Sequence, residues 1–215
     1  MSNPDSFINE VTEEVRRDRL FAMFRRYGWI AVLLVILIVG GAGFNEWQKA
    51  NRQSQAQAFG DAVMGAMEAA TPEARSSALA AVSAAGDRAA VQNLLLASDP
   101  GTDRAGALVA LDKVAADAAL PVAYRDLAVL RRVLLAGADM PAADRRAALD
   151  AIAAPGRPFR PLALEQLAYL QAEAGDTAAA ITALQALVVD QQAPSGLRQR
   201  ASQMIVALGG EVTAG

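Results

Sequence analysis

The feature that most constrains this chain is an 18-residue stretch without a charged side chain, from Tyr27 to Phe44, directly after Arg25 and Arg26. At ~1.5 Å per helical residue the stretch is roughly 27 Å long, close to the ~30 Å hydrocarbon core of a bilayer. An amphipathic core helix carries a polar stripe at helical spacing, and this stretch has none. The sequence therefore predicts one transmembrane helix over residues 27–44, in contact with the lipid bilayer.

The charges on either side of this stretch predict its orientation. Several arginines precede it, whereas Lys49 and Arg52 are the only basic residues that follow closely. By the positive-inside rule the N-terminus is cytoplasmic and the chain beyond residue 45 is exported. A cleaved signal peptide is the alternative, with Gly41-Ala42-Gly43 as its cleavage site. The acidic leader and the length of the apolar stretch argue against that alternative.

Composition limits the chemistry open to the exported part. The chain has no Cys and no His, so disulfides, the usual zinc, haem and iron–sulfur ligands, and Ser-His-Asp or Cys-His catalysis are excluded. The net charge of -3 is evenly spread and aromatic residues are 5%, which argues against nucleic acid. No phosphate-binding loop and no distinctive carboxylate pair is present. We therefore expect a non-enzymatic protein without metal, cofactor or small-molecule substrate.

The sequence predicts an all-α fold, because Ala dominates after residue 56 and no alternating β pattern occurs. Residues 1–26 read as an amphipathic cytoplasmic helix, which either lies on the inner membrane surface or docks a partner. Residues 45–70 extend the transmembrane helix, since no Pro interrupts them. From Thr71-Pro72 onward, Pro and Gly turn signals separate segments of helical length. Residues 71–215 are therefore predicted to form a helical-repeat domain.

An internal repeat supports helical hairpins stacked side by side. When the chain is shifted by 73 residues, Asp and Pro positions coincide, and 73 is near twice the ~34-residue tetratricopeptide period. The matching pairs are Asp103 with Asp176, Asp117 with Asp190, Pro121 with Pro194, and Arg125 with Arg198.

One unit, over residues 164–194, resembles the tetratricopeptide pattern. Leu164, Leu167 and Ala168 fill the packing positions of its first helix, and Ala180 and Leu184 fill those of its second. Small residues at positions 168 and 180 suit a close crossing of two helices.

Longer stretches resemble a known family. FINEVTEEVRRDRLFAMFRRYGW at 7–29, the apolar span, the repeats near 107–113, and APGRPFRPLALEQLAYLQAEAGD at 154–176 are similar to membrane-anchored tetratricopeptide-like proteins related to the ancillary subunit of the bacterial SecYEG translocon, the YfgM-like group of alphaproteobacterial type. The resemblance implies a bacterial inner-membrane protein with a periplasmic C-terminal domain. It also implies a scaffold that passes exported polypeptides from the Sec translocon to a periplasmic chaperone or prolyl isomerase.

Repeat domains of this kind bind partners on a concave surface lined by the first helix of each pair. Glu165 and Tyr169 are candidates in the 164–194 unit, and Phe159 and Arg160 could form the rim of the groove. The alternative is that Tyr169 is a packing residue and Glu165 a solvated one. The matching positions one double repeat earlier are Gln92 and Leu96.

The remaining candidates are arginine pairs and span glycines. Arg131-Arg132 and Arg145-Arg146 read as solvated faces rather than an acidic-peptide site. Gly40, Gly41 and Gly43 would let a partner helix approach the span closely. The alternative function is therefore an assembly or structural subunit of another inner-membrane complex, bound mainly through its transmembrane helix.

Overall fold

The computed structural model describes residues 4–99, 101 and 103–212, with side chains described from Arg25 onward except at Tyr27 and Ala31. Within these residues the chain forms α-helices, one short 3-10 helix and no strand, so the predicted all-α class is confirmed. The side chains that would form the amphipathic face of residues 1–24 lie outside the described residues.

The first helix, α1, runs without a break from Pro4 to Met67. It covers the predicted cytoplasmic helix, the predicted span and most of the predicted extension, and it ends three residues before residue 70. In the described part of the chain it is the one helix long and apolar enough to cross a membrane, over Gly28–Met67. Its mean hydropathy there reaches 2.1 over an 18-residue window, of which 0% is buried. This exposed apolar surface is what a membrane anchor requires.

The chain divides into two compact units, residues 1–58 and 59–215. The second unit contains the end of α1 and the shorter helices that follow. Each helix from α2 onward packs against the next in sequence, and α7 also packs against α9. The bounds are α2 Pro72–Ala81, α3 Asp87–Leu96, α4 Arg104–Ala116, α5 Val122–Ala136, a 3-10 turn Gly137–Asp139, α6 Ala142–Ile152, α7 Arg160–Glu173, α8 Thr177–Val189 and α9 Ser195–Ala207.

The helix ends form where the turn residues predict them. The hydroxyl of Thr71 accepts a hydrogen bond from the Ala74 N–H at 3.2 Å, and Pro72 occupies the first turn of α2. An Asp cap begins α4, where Asp103 Oδ1 accepts the Gly106 N–H at 2.8 Å. The side chains therefore satisfy N–H groups that each first turn leaves without a helical partner.

The 73-residue repeat is visible in the helix boundaries. Shifting α4 by 73 residues reproduces the bounds of α8, and shifting the start of α5 reproduces the start of α9. Asp176 caps α8 through the Ala179 N–H at 3.1 Å, as Asp103 caps α4. After each of these helices an Asp side chain accepts the N–H two residues on, at 3.0 Å for Asp117 and 2.8 Å for Asp190. The same local hydrogen bonds therefore build both copies.

Buried positions repeat as well, in two core clusters that correspond to each other. The helix-crossing positions Ala168 and Ala180 are 0% exposed, in agreement with the prediction that small residues are needed there. The pairs of buried residues separated by 73 are Ala107 and Ala180, Leu111 and Leu184, Val114 and Leu187, Leu120 and Ala193, and Ala128 and Ala201.

Candidate functional site

A cavity of about 720 Å³ lies between α7 and α8. Its walls combine aliphatic and polar residues. One polar pair, Arg160 and Asp190, joins the two helices at 3.2 Å, with side chains 30% and 19% exposed. The lining residues are Pro155, Gly156, Arg160, Leu164, Ala183, Ala186, Leu187, Asp190 and Gln192.

The local sequence explains why this space exists. Phe159 precedes the first residue of α7, and Pro161 lies in the first turn, so the α6–α7 connection ends beside the cavity. On the other side α8 ends at Val189, and the Asp190 carboxylate accepts the Gln192 N–H at 2.8 Å, which fixes the following turn. From α8 the cavity is lined by Ala183, Ala186 and Leu187. The short side chains of the two alanines leave part of the space between the helices open.

The predicted rim residues differ in their roles. Arg160 lines the cavity and is held by its ion pair with Asp190. Phe159 is half-buried and packs against the core formed by α5, α6 and α7. Arg160 therefore lies at the cavity, whereas Phe159 packs into the core beside the start of α7.

Glu165 is buried, at 2% exposed, rather than placed on an open surface. Both of its oxygens accept hydrogen bonds from Arg200 of α9, at 2.9 and 2.8 Å, and one also accepts the Tyr169 hydroxyl at 3.0 Å. The expectation of an exposed Glu165, whether as a groove residue or as a solvated one, is therefore wrong. The reason is that α9 packs on α7 and supplies a cation that makes burial of the carboxylate tolerable.

Electrostatics within this cluster follow from the same contacts. The hydrogen bond from Arg200 to Glu165 raises the pKa of the guanidinium further above its ordinary value. Burial, reinforced by the nearby Glu165 charge, raises the pKa of the Tyr169 hydroxyl. Tyr169 is half-buried and its hydroxyl is engaged, so it acts first as a packing and hydrogen-bonding residue.

Gln92 and Leu96, the positions one double repeat earlier, lie on α3. The Gln92 side chain donates to the carbonyls of Leu79 and Val82, at 2.6 and 2.7 Å, and so caps the end of α2. Leu96 is half-buried in the last turn of α3. The contacts of Gln92 therefore go to α2, and the structure does not join this pair to Glu165 and Tyr169 in one groove.

A buried ion pair that the sequence did not reveal connects α5 with the α6–α7 loop. Asp126 is 1% exposed, and its Oδ1 accepts a hydrogen bond from Arg157. Burial raises the pKa of Asp126, and the Arg157 charge only partly offsets this effect. The loop that carries Arg157 also supplies Pro155 and Gly156 to the cavity. Asp126 therefore anchors one wall of the site.

Most arginines of the two pairs contact residues on other helices. The interpretation of the pairs as solvated faces is therefore wrong for these residues. Arg131 donates to the carbonyls of Leu94 and Ala97 at the end of α3, and Arg132 pairs with Asp112. Arg145 is 12% exposed and pairs with Glu173 at 2.9 Å; Arg146 is exposed as expected. The guanidinium groups of Arg131, Arg132 and Arg145 bridge helices, so they do not form a basic surface.

Gly40, Gly41 and Gly43 are exposed on α1, and a Cβ built at each would meet no atom within 4 Å.

In the part of the chain that the structure describes, no group of His, Cys, Asp and Glu side chains could hold a metal ion. Comparisons with protein-family models, curated proteins and solved structures give no match to this chain.

Proposed function

We propose that this chain is a non-enzymatic, membrane-anchored binding scaffold that holds a polypeptide-binding surface beside a bilayer. The observation that carries the proposal is the cavity of about 720 Å³ between α7 and α8, which combines aliphatic side chains with one internally neutralised ion pair. Ligand pockets commonly have volumes of ~300–1,000 Å³. The exposed apolar surface of α1 supports attachment to a membrane.

The proposed architecture of residues 71–215 is a tetratricopeptide-like α-solenoid. The repeated helix boundaries and caps of α4–α5 and α8–α9 support it. The packing of α7 on both α8 and α9 also supports it, because a first helix in such arrays contacts its partner and the first helix of the next pair.

The proposed setting is the bacterial inner membrane, with the N-terminus cytoplasmic and the helical domain periplasmic. The excess of arginine before the span supports this orientation. The resemblance of residues 7–29 and 154–176 to the YfgM-like group is the basis for placing the protein near the Sec translocon. In that setting it would pass exported polypeptides to a periplasmic chaperone or prolyl isomerase.

Site-specific photocrosslinking in cells tests the scaffold function. Probes at Ala186 and Gln192, both exposed at the cavity, should capture newly exported chains during a pulse label. A probe at Ala151, exposed on α6 outside the cavity, is the matched control. Adducts of equal yield at all three positions, or none at any, would contradict the proposal.

Reporter fusions test the orientation separately. A phosphatase joined after residue 60 should be active, and one joined after residue 24 should be inactive. The reverse pattern would overturn both the orientation and the periplasmic location.

The alternative function is an assembly or structural subunit of another inner-membrane complex, bound through α1. The open surface at Gly40, Gly41 and Gly43 favours it, because a second helix could approach the backbone there. Probes at Val35 and Gly41 would then give one stable adduct with a membrane protein. That result, together with no capture at Ala186, would select the alternative.

A further inference from the structure

The two copies of the repeat differ on one face of their last helix. In the first copy, Leu130 and Val133 of α5 are 4% and 5% exposed, in one core cluster with residues of α6 and α7. Asp126, one turn earlier, is 1% exposed and pairs with Arg157 of the following loop. Positions three and four residues apart lie on the same side of a helix, so these residues form the face of α5 on which the next helix pair packs.

The matching face of α9 has a different character. Its residues lie 73 positions after Asp126, Val129, Leu130 and Val133, and we call them the outer face of α9: Gln199, Ser202, Gln203 and Val206. Both glutamines are exposed, and Val206 is 63% exposed. Two amides and a hydroxyl therefore replace the apolar residues and the anchoring carboxylate of the first copy. Burying such groups without new hydrogen-bond partners costs free energy.

The segment after α9 covers a position that the next helix pair covers in the first copy. Leu108 of α4 packs against the core that includes α6 and α7, and its counterpart on α8 is Ile181. The backbone at Gly210 approaches Ile181 so closely that a Cβ there would lie 3.0 Å from its side chain. The Gln185 side chain donates to the Glu211 carbonyl at 3.2 Å, which holds this segment against α8.

We propose that the outer face of α9 and the segment 208–212 close this end of the helical domain, so that neither a second copy of this chain nor another helix pair stacks there. The inference rests on the two copies of the repeat and not on the proposed function. A helix binds a partner helix through an apolar stripe, and the polar residues interrupt that stripe. Val206 keeps the residue of the first copy, but a single exposed apolar side chain is ordinary on a protein surface.

Thiol labelling of the full chain in lipid nanodiscs tests the inference, because the chain has no Cys of its own. Val206→Cys places one thiol on the outer face of α9, and its labelling rate reports whether that face is covered. The rate is measured at low and high concentrations of nanodiscs that each hold one chain. Ala151→Cys, at an exposed position on α6, is the control for an accessible thiol.

Two extended chains supply a helix pair that could stack on α9. Both carry Val206→Cys and a second copy of residues 137–215 after Gly209, in the register in which residue 137 follows α5. One keeps the native outer face of α9, and the other has the residues of the first copy. The changes in the second chain are Gln199→Asp, Ser202→Val and Gln203→Leu. Circular dichroism confirms the added helices in both.

We expect the thiol at position 206 to react at the control rate at both concentrations, and also in the extended chain with the native face. In the chain with the first-copy residues it should react at least about tenfold more slowly, because the equivalent Val133 is 5% exposed beneath the next pair.

Slower labelling of the original chain at high concentration would show that a second copy stacks on α9, and this result would overturn the inference without any added helix. Equal protection in the two extended chains, or protection in neither, would overturn the role given to the polar residues. The scaffold function is tested separately, by the crosslinks at Ala186, and stands or falls independently of these rates.

Discussion

Replacing Arg200 by Ala tests whether Glu165 is held in the folded domain as a buried anion. Glu165 is 2% exposed and receives two hydrogen bonds from Arg200, at 2.9 and 2.8 Å. Without Arg200 the carboxylate keeps only the Tyr169 hydroxyl, at 3.0 Å. Removing one partner of a buried pair costs ~3–5 kcal/mol, because the other charge stays desolvated and uncompensated.

The expected magnitude lies at the low end of that range. The Arg200 side chain is 52% exposed, so water can enter from its side when it is removed. We therefore expect Arg200→Ala to lower the free energy of unfolding by about 3 kcal/mol. For a chain of this size that corresponds to a Tm lower by about 6–12 °C.

Glu165→Gln supplies the comparison. Glutamine has the shape of glutamate and its carbonyl can accept the Tyr169 hydrogen bond, while Arg200 turns toward solvent. We expect this variant to cost only about 1 kcal/mol, the usual net value of one hydrogen bond. A larger loss of stability for Arg200→Ala than for Glu165→Gln would show that Glu165 is buried as a charged group, whatever the two values are.

The assay is thermal unfolding of the full chain in detergent micelles, followed by circular dichroism at 222 nm. Arg146→Ala, at an exposed position on α6, is the control and should change the free energy of unfolding by less than about 0.5 kcal/mol. If Arg200→Ala is no more destabilising than Glu165→Gln, the carboxylate is not buried as a charged group and the reasoning fails.

Three further predictions concern the same domain. Burial raises the pKa of Asp126, so the contribution of this carboxyl group to stability should fall as the pH rises from about 4 through its folded-state pKa. Urea unfolding should therefore show Asp126→Asn gaining stability relative to wild type from about pH 4 to pH 7, and a constant difference would contradict this. Asp103→Ala and Asp176→Ala remove equivalent helix caps and should each cost about 1 kcal/mol in urea unfolding; a cost at only one site would mean the caps are not equivalent. Leu111→Ala and Leu184→Ala, both 0% exposed at matching positions, should each lower the free energy of unfolding by ~2–5 kcal/mol, and a change below 1 kcal/mol at either would show that its site is not tightly packed.

The elements predicted well are those set by neighbouring residues. The caps at Asp103 and Asp176 each accept an N–H three residues further on, so they depend on residues within one helical turn rather than on tertiary contacts. The uncharged stretch from residue 27 to 44 can be recognised without knowledge of tertiary contacts, since its own side chains determine how it partitions between water and lipid.

The site residues were predicted less well, because each depends on a contact across many positions. Glu165 reads as a surface residue until Arg200, 35 residues later, is placed beside it. Asp126 and Arg157 are 31 residues apart, and each looks like an ordinary charge in its own segment. The cavity is an extreme case, because its walls come from two helices and two loops.

By itself the sequence determined the helical class, the apolar stretch within α1, the turns between helices and the 73-residue repeat. All of these follow from short-range hydrogen bonding, helix propensity and local hydropathy. Only the tertiary structure decided that Glu165 and Asp126 are buried with cationic partners, and that Ala183 and Ala186 border open space. Burial and empty volume are properties of packed surfaces, and the residues that create them meet only when distant helices come together.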